Sequence, residues 1–206
     1  MVNQKKVWNT LYKEKRILWK KETSNLPKIL KGKKVLELGV GNGKTLISIL
    51  KQKPKQVIAI DFSDEVVEFH LKKFPQVQII QEDIKNLPFK DKEFDAIVCY
   101  FVLDSLLQWE IELAVAEIFR VLKKKCKVLF CDFAAGDFRQ DGKELETNTM
   151  LKKNGLICHF FTKKEVKKLF KKFNMLKIEE KTSCPISHKK HLVRKLVQGI
   201  FEKARI

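Results

Sequence analysis

The stretch that most constrains this chain is VLELGVGNG, Val35 to Gly43, an apolar run that meets a carboxylate and then breaks into glycines at every second position. A short run of this kind reads as a buried parallel strand entering a backbone loop. Gly39, Gly41 and Gly43 lack a Cβ, so the loop can take positive φ and approach a bound molecule closely. Glu37 places a charge where a core residue would stand. In open α/β sheets, nucleotide-type ligands bind at the carboxyl ends of the strands, and this is the first strand-to-helix turn. The spacing is GxGxG, whereas dinucleotide sites carry GxGxxG and a P-loop carries four residues between its first glycine and Gly-Lys. A phosphate cradle is therefore the weaker reading of this loop.

Further strands end in acids downstream. Gln56 to Asp61 closes on Asp61, eighteen residues after Gly43 and near the spacing at which a carboxylate reaches ribose hydroxyls, with Phe62 next to it. Val77 to Asp83 closes on Asp83, followed by Ile84. FDAIVCYFVLDSL, Phe94 to Leu107, reads as a fourth strand and a cleft segment; ELAVAEIFRVLKKKCKVLFCDF reads as a helix and a fifth strand ending near Asp132. Helix signals follow the strands at Lys44 to Gln52, Ser63 to Phe74 with Ser63 as N-cap, and Trp109 to Lys123. Such alternation implies an α/β, doubly wound three-layer sandwich with helices on both sheet faces.

The motif ELGVGNG, with the acids at Asp61 and Asp83 in the expected order, resembles motif I and its partners in the class I S-adenosylmethionine-dependent methyltransferases. The flavour is that of the group containing quinone-biosynthesis methyltransferases, and the match runs from about Val35 to Asp132. The resemblance implies a seven-stranded, mostly parallel sheet in the order 3-2-1-4-5-7-6 with the last strand antiparallel. It implies a helical cap over residues 1–34 and a methyltransferase domain over 35–206. It further implies S-adenosylmethionine as cofactor, with S-adenosylhomocysteine as product, held by Glu37, Gly39, Val40, Gly41, Asn42, Gly43, Asp61, Phe62, Asp83, Ile84 and Tyr100.

Methyl transfer from a sulfonium is an in-line displacement that needs mainly positioning and water exclusion, so no nucleophile triad is required. A base helps only where the acceptor loses a proton, and the candidates are Tyr100, Asp104 and His159. The N-terminal stretch 2–22 spaces aromatics in an approximately helical pattern, making Trp8, Tyr12 and Trp19, together with Phe101, candidates for lining the acceptor site. Two departures from the family stand out. Leu103, Asp104 and Ser105 occupy positions where many relatives carry histidines, and Lys123 to Cys126 replace the usual Pro-Gly-Gly turn, implying a tighter or helical turn there. The Asn/Asp-Pro-Pro-Tyr motif of exocyclic-amine methylation is absent at 99–102.

Beyond Asp132 the stretch 134–146 reads as a polar loop opening a helix; Thr162 and Glu165 form a capping box for a basic helix 163–172, and 175–180 and 196–204 read as two closing strands. Five cysteines without a CxxC pair favour free thiols over disulfides or zinc, so no metal is expected and a cytoplasmic location is. No stretch is long and apolar enough for a membrane span.

The chain carries a formal net charge of +18, distributed as +9 over residues 1–34, −4 over 35–120 and +13 over 121–206. The basic excess flanks the half expected to bind the cofactor rather than lying in it. A positive surround steers anionic partners, although lysine-rich composition also arises as solvated helix surface. Three functional readings follow: methyl transfer to a small or medium-sized acceptor, methyl transfer to tRNA or other RNA held by the basic flanks, and a non-catalytic nucleotide-binding or partner-activating module.

Overall fold

A computed structural model describes residues 3–15, 26–183 and 192–204. Trp19, Cys184, His188 and His191 lie outside the described residues. The chain opens with helix α1 (Gln4–Lys15) and then alternates β1 (Lys34–Leu38), α2 (Lys44–Leu50), β2 (Gln56–Asp61), α3 (Asp64–Lys73), β3 (Gln78–Gln81) and β4 (Phe94–Tyr100). A short 3-10 turn, Leu103–Ser105, leads to α4 (Gln108–Val121) and β5 (Leu122–Phe133). The rest comprises β6 (Lys143–Glu146), β7 (Thr149–Leu151), β8 (Ile157–His159), α5 (Lys163–Leu169), β9 (Phe173–Ser183) and β10 (Arg194–Lys203).

The main sheet has seven strands in the order β3-β2-β1-β4-β5-β10-β9. Numbered within that sheet alone, this is the expected 3-2-1-4-5-7-6, and β10 runs antiparallel to both neighbours. Alternate residues of each buried strand feed two apolar layers. Leu36, Ile58, Ile97 and Phe130 face α4 and α5 in one layer, while Val35, Ala59, Val98 and Leu129 face α2 and α3 in the other. The period of two therefore puts Glu37 and Asp61 on the α2/α3 side and Asp132 on the opposite side.

Local chemistry explains the element ends that frame the site. Ser63 takes extended φ and accepts from the Val66 amide, with Asp64 and Glu65 in the first turn and His70, Lys72 and Lys73 in the last, as the helix dipole favours. Thr162 and Glu165 form the anticipated capping box of α5, which ends at Leu169 rather than 172. Of the tighter or helical turn expected at Lys123 to Cys126, the structure has the tighter: α4 ends at Val121, the strand starts at once, and its extra residues bulge between the Phe94–Leu122 and Ala96–Lys127 pairs, with Lys125 at φ 59°. The buried ammonium of Lys203 donates to the carbonyls of Phe119 and, at 2.8 Å, of Leu122, terminating α4 from a distant strand. The stretch 134–146, contrary to expectation, opens no helix; β6, β7 and β8 form a second, antiparallel sheet turned by Asn148 at φ 61°, and their pairing aligns Thr149 with His159.

Helix α1 lies across the carboxyl edge of the sheet and is fastened on two sides. Asn9 donates to Asp64 at 3.0 Å and accepts from the Ser63 hydroxyl at 2.6 Å, and Lys5 pairs with Asp64 at 3.1 Å. Gln4 donates to the Gly155 carbonyl at 3.0 Å and accepts from the Ile157 amide at 3.1 Å, reaching the β7–β8 connection.

Candidate cofactor and acceptor site

The glycine loop leaves β1 as the sequence suggests and is built for close approach. Gly39 has φ 68°, and a Cβ there would meet Val102 Cγ2 at 2.6 Å, so only glycine lets the segment after β4 pack on the loop. Gly43 has φ 73°, and a Cβ there would meet His70 Cε1 at 2.6 Å. His70, unremarked in the sequence, is fully buried on α3 and hydrogen-bonds through Nε2 to the Gly41 carbonyl at 2.7 Å. A carbonyl only accepts, so Nε2 carries the proton; burial lowers the ring's pKa and keeps it neutral. The ring also stacks on Phe74 at 5.5 Å, forming a floor under the loop. Nothing in the sequence pattern of α3 marks this, since the contact spans twenty-nine residues.

Glu37 is 1% exposed, and neither carboxylate oxygen has a hydrogen-bond partner among the described residues. Burial, then the charge of Asp61, push its pKa well above the ordinary carboxyl range; the Leu46 amide, which faces the carboxylate without completing a hydrogen bond, acts in the lowering direction. An unpartnered buried carboxylate is costly, and its presence beside a Cβ-free loop fits a ligand that brings a cation or strong donors. Asp61 is held in place by the Gly41 and Ser63 amides, each at 3.0 Å, and burial raises its pKa to about 6. Those two amides do not exhaust a carboxylate's acceptor sites, so Asp61 can still accept from hydroxyls. Both acids lie on one face at the ends of adjacent paired strands. The methionine and ribose ends of S-adenosylmethionine have the ammonium and hydroxyls this pair requires.

The remaining expected cofactor residues divide. Phe62 is half-buried beside Asp61. Asp83 is half-exposed and accepts from the Lys85 amide at 2.9 Å, whereas Ile84 is packed into the core. Tyr100 is buried at the end of β4, where burial holds its phenol protonated above the usual range, so it is poorly suited to act as a base.

Helix α1 contributes Tyr12, whose hydroxyl lies 3.1 Å from where a Cβ on Gly41 would stand. Burial, Asp61 and Asp104 all raise its pKa, which ties the phenol to both acids. Trp8 stacks on Tyr12 at 5.6 Å, and its indole nitrogen is buried without a partner among the described residues. Phe101, directly after β4, takes φ 54°, an uncommon conformation for a non-glycine residue.

Asp104 and His159, proposed from sequence as bases, behave differently. His159 has both ring nitrogens engaged, by Thr149 at 2.7 Å and Glu165 at 2.8 Å, which makes it a strut between the small sheet and α5. Asp104 is buried with Oδ1 unpartnered among the described residues, while Oδ2 accepts from the Cys158 thiol at 3.6 Å. Its amide donates to Asp132 at 3.2 Å, and the charge of Asp104 in turn disfavours ionisation of Asp132. Burial raises Asp104 to about 6 and Asp132 further. Asp132 was legible only as a strand end.

Cys99, Cys126, Cys131 and Cys158 are free thiols. No helix among the described residues is long and apolar enough to cross a membrane.

Known proteins align with this architecture. A methyltransferase-domain family model matches residues 35–125. A demethylmenaquinone methyltransferase of Staphylococcus carnosus is 31% identical over 59% of this chain and 52% of its own length. A tRNA N(3)-cytidine methyltransferase of Gallus gallus is 26% identical over 71% of this chain and 44% of its own. The chain thus spans about half the length of these curated relatives. An S-adenosylmethionine-dependent methyltransferase structure from Methanosarcina mazei superposes with a TM-score of 0.76 at 20% identity, covering 88% of this chain and 99% of that one. The glycine loop and the acid-ended strands thus lie within residues 35–125, which match a methyltransferase domain, and the chain shares its fold with an S-adenosylmethionine-dependent methyltransferase structure.

Proposed function

We propose that the chain binds S-adenosylmethionine and methylates a small or medium-sized acceptor in the cytoplasm. The observation that carries this is Glu37, a buried carboxylate with no partner among the described residues, set beside the glycine loop. When bound, S-adenosylmethionine supplies a methyl group on a positively charged sulfur. Glu37 and the backbone of residues 39–43 hold the methionine end, Asp61 accepts from the ribose hydroxyls, and Phe62, Asp83 and Ile84 border the adenine. Tyr12 and Trp8 close the cleft and exclude water. The residues that would hold the cofactor would set the acceptor's lone pair in line with the methyl carbon, so that a bond to that carbon would form as the carbon–sulfur bond breaks and its electron pair stays on sulfur. Where the acceptor carries a proton, Asp104 takes it through Oδ1, which has no partner among the described residues, burial keeping its proton affinity high enough to be useful near neutral pH.

The strongly basic flanks favour a second reading, in which the acceptor is RNA. Isothermal titration of the full chain with S-adenosylhomocysteine, followed by transfer of labelled methyl groups to fractionated metabolites and to tRNA, tests both. Binding with labelling of a metabolite fraction supports the first reading, and labelling of tRNA alone supports the second. Absence of binding leaves the non-catalytic module.

A further inference from the structure

A group of cations gathers at the same carboxyl edge, beyond the acids of the cleft. Arg139, just after β5, lies flat on Phe133 at 3.8 Å and near Phe138 at 5.0 Å. Asp137, buried, grips Arg139 through Nε at 2.7 Å and Nη2 at 2.8 Å and also accepts from the Lys195 amide at 2.7 Å. That clamp ties the loop after β5 to the start of β10, so Arg139 is fixed in position. Arg194, the first residue of β10, has its Nε buried without a partner among the described residues. Burial, then Arg139, lower the proton affinity of Arg194; burial, then Arg194, do the same at Lys44, the residue directly after the glycine loop. Asp137 joins Arg139 to the start of β10, since it grips the Arg139 guanidinium and the backbone amide next to Arg194, and the Lys195 ammonium stands beside Gly136. Asp137 offsets one charge and Asp104, which feels Arg139, at most a second, so Lys44, Arg139, Arg194 and Lys195 keep a positive excess. Next to them, Phe101 sits in its left-handed conformation with its ring 5.3 Å from Phe133.

Repulsion among half-buried cations is unfavourable unless an anion completes the site. Guanidinium groups suit the oxygens of a phosphate, whose charge near −2 matches the excess better than a carboxylate does. We propose that Lys44, Arg139 and Arg194 form an anion site at the acceptor end of the cleft that holds a phosphate group of the methyl acceptor, with Phe101 bordering the acceptor's ring or chain. The inference rests on the methyltransferase reading for the word acceptor; the anion site itself does not. The phosphate can belong to a phosphorylated small molecule or to an RNA backbone.

The test is a titration of the S-adenosylhomocysteine-saturated chain with inorganic phosphate, followed through the arginine Nε–H signals by NMR, with chloride at matched ionic strength as reference. Saturable shifts at Arg194 and Arg139 with phosphate only, weakened about tenfold in Arg194→Gln and in Lys44→Gln, are expected for the loss of one charge-assisted contact. Absent shifts, or equal shifts with chloride, overturn the site. A single-stranded RNA oligonucleotide separates the sources: tighter binding than phosphate, with a salt slope that falls by about 1 in Arg194→Gln, assigns the backbone, and binding no tighter than phosphate assigns a small phosphorylated acceptor. S-adenosylhomocysteine calorimetry on the parent chain reads the cofactor assignment separately, so failure of one is not mistaken for failure of the other.

Discussion

Replacing Glu37 with glutamine should make the free protein more stable and the cofactor complex weaker. The side chain is fully buried, neither oxygen is partnered among the described residues, and Asp61 adds repulsion. Leaving a buried polar group unsatisfied costs roughly 1–3 kcal/mol, more when charged. Because the folded-state pKa is raised, the folded chain binds more protons than the unfolded one. Stability therefore falls as pH climbs from the ordinary glutamate range towards the raised value, by at most about 1.4 kcal/mol per pH unit. Glu37→Gln abolishes that slope. At neutral pH the variant should melt higher, at about 2–4 °C per kcal/mol for a chain of this size. The same change removes the charge offered to a ligand ammonium, a loss of about 1.5–3 kcal/mol, or roughly 10- to 150-fold in S-adenosylhomocysteine affinity. Melting curves from pH 5 to 8 with and without S-adenosylhomocysteine, together with calorimetry, check both signs. A variant that is less stable than the parent, or that binds the nucleoside equally well, would refute the reasoning.

Three other substitutions probe separate parts of the site. Asp104→Asn should lower methyl transfer by about 10²–10⁴-fold if the acceptor loses a proton, and in the parent the rate should rise as pH passes about 6, where Asp104 deprotonates; an unchanged pH profile in the variant removes Asp104 as base. Gly43→Ala forces an L-residue to φ 73° and a Cβ to 2.6 Å from His70, so it should cost about 1–3 kcal/mol of stability and weaken cofactor binding, both readable by denaturant melts and calorimetry. Asn9→Ala removes the contacts of α1 to Ser63 and Asp64, so hydrogen exchange over residues 4–15 should speed up while β1 and β4 stay protected; equal exchange would show that α1 is held by other contacts.

The cofactor half was legible because its signals are local. A strand, its terminal acid and a glycine turn occupy adjacent positions, and Asp61 and the glycines emerge where the spacing puts them. Features that were missed depend on contacts distant in sequence. His70 reads as one more residue of α3 until it meets Gly41, and Lys203 ends α4 from eighty-one residues past Leu122. The small sheet escaped notice because β6 is short and largely exposed, so it has little apolar alternation to announce it. Likewise His159 is a candidate base by residue type alone, and only the pairing of β7 with β8 and the position of α5 show that Thr149 and Glu165 hold both its nitrogens.

The most direct measurement of the central claim is calorimetry of the unmodified chain against S-adenosylhomocysteine, with NAD as the control nucleotide. The geometry of Glu37, Asp61 and the GxGxG loop predicts saturable one-to-one binding of the sulfur nucleoside and none of NAD; binding of NAD in its place, or of neither, would contradict it.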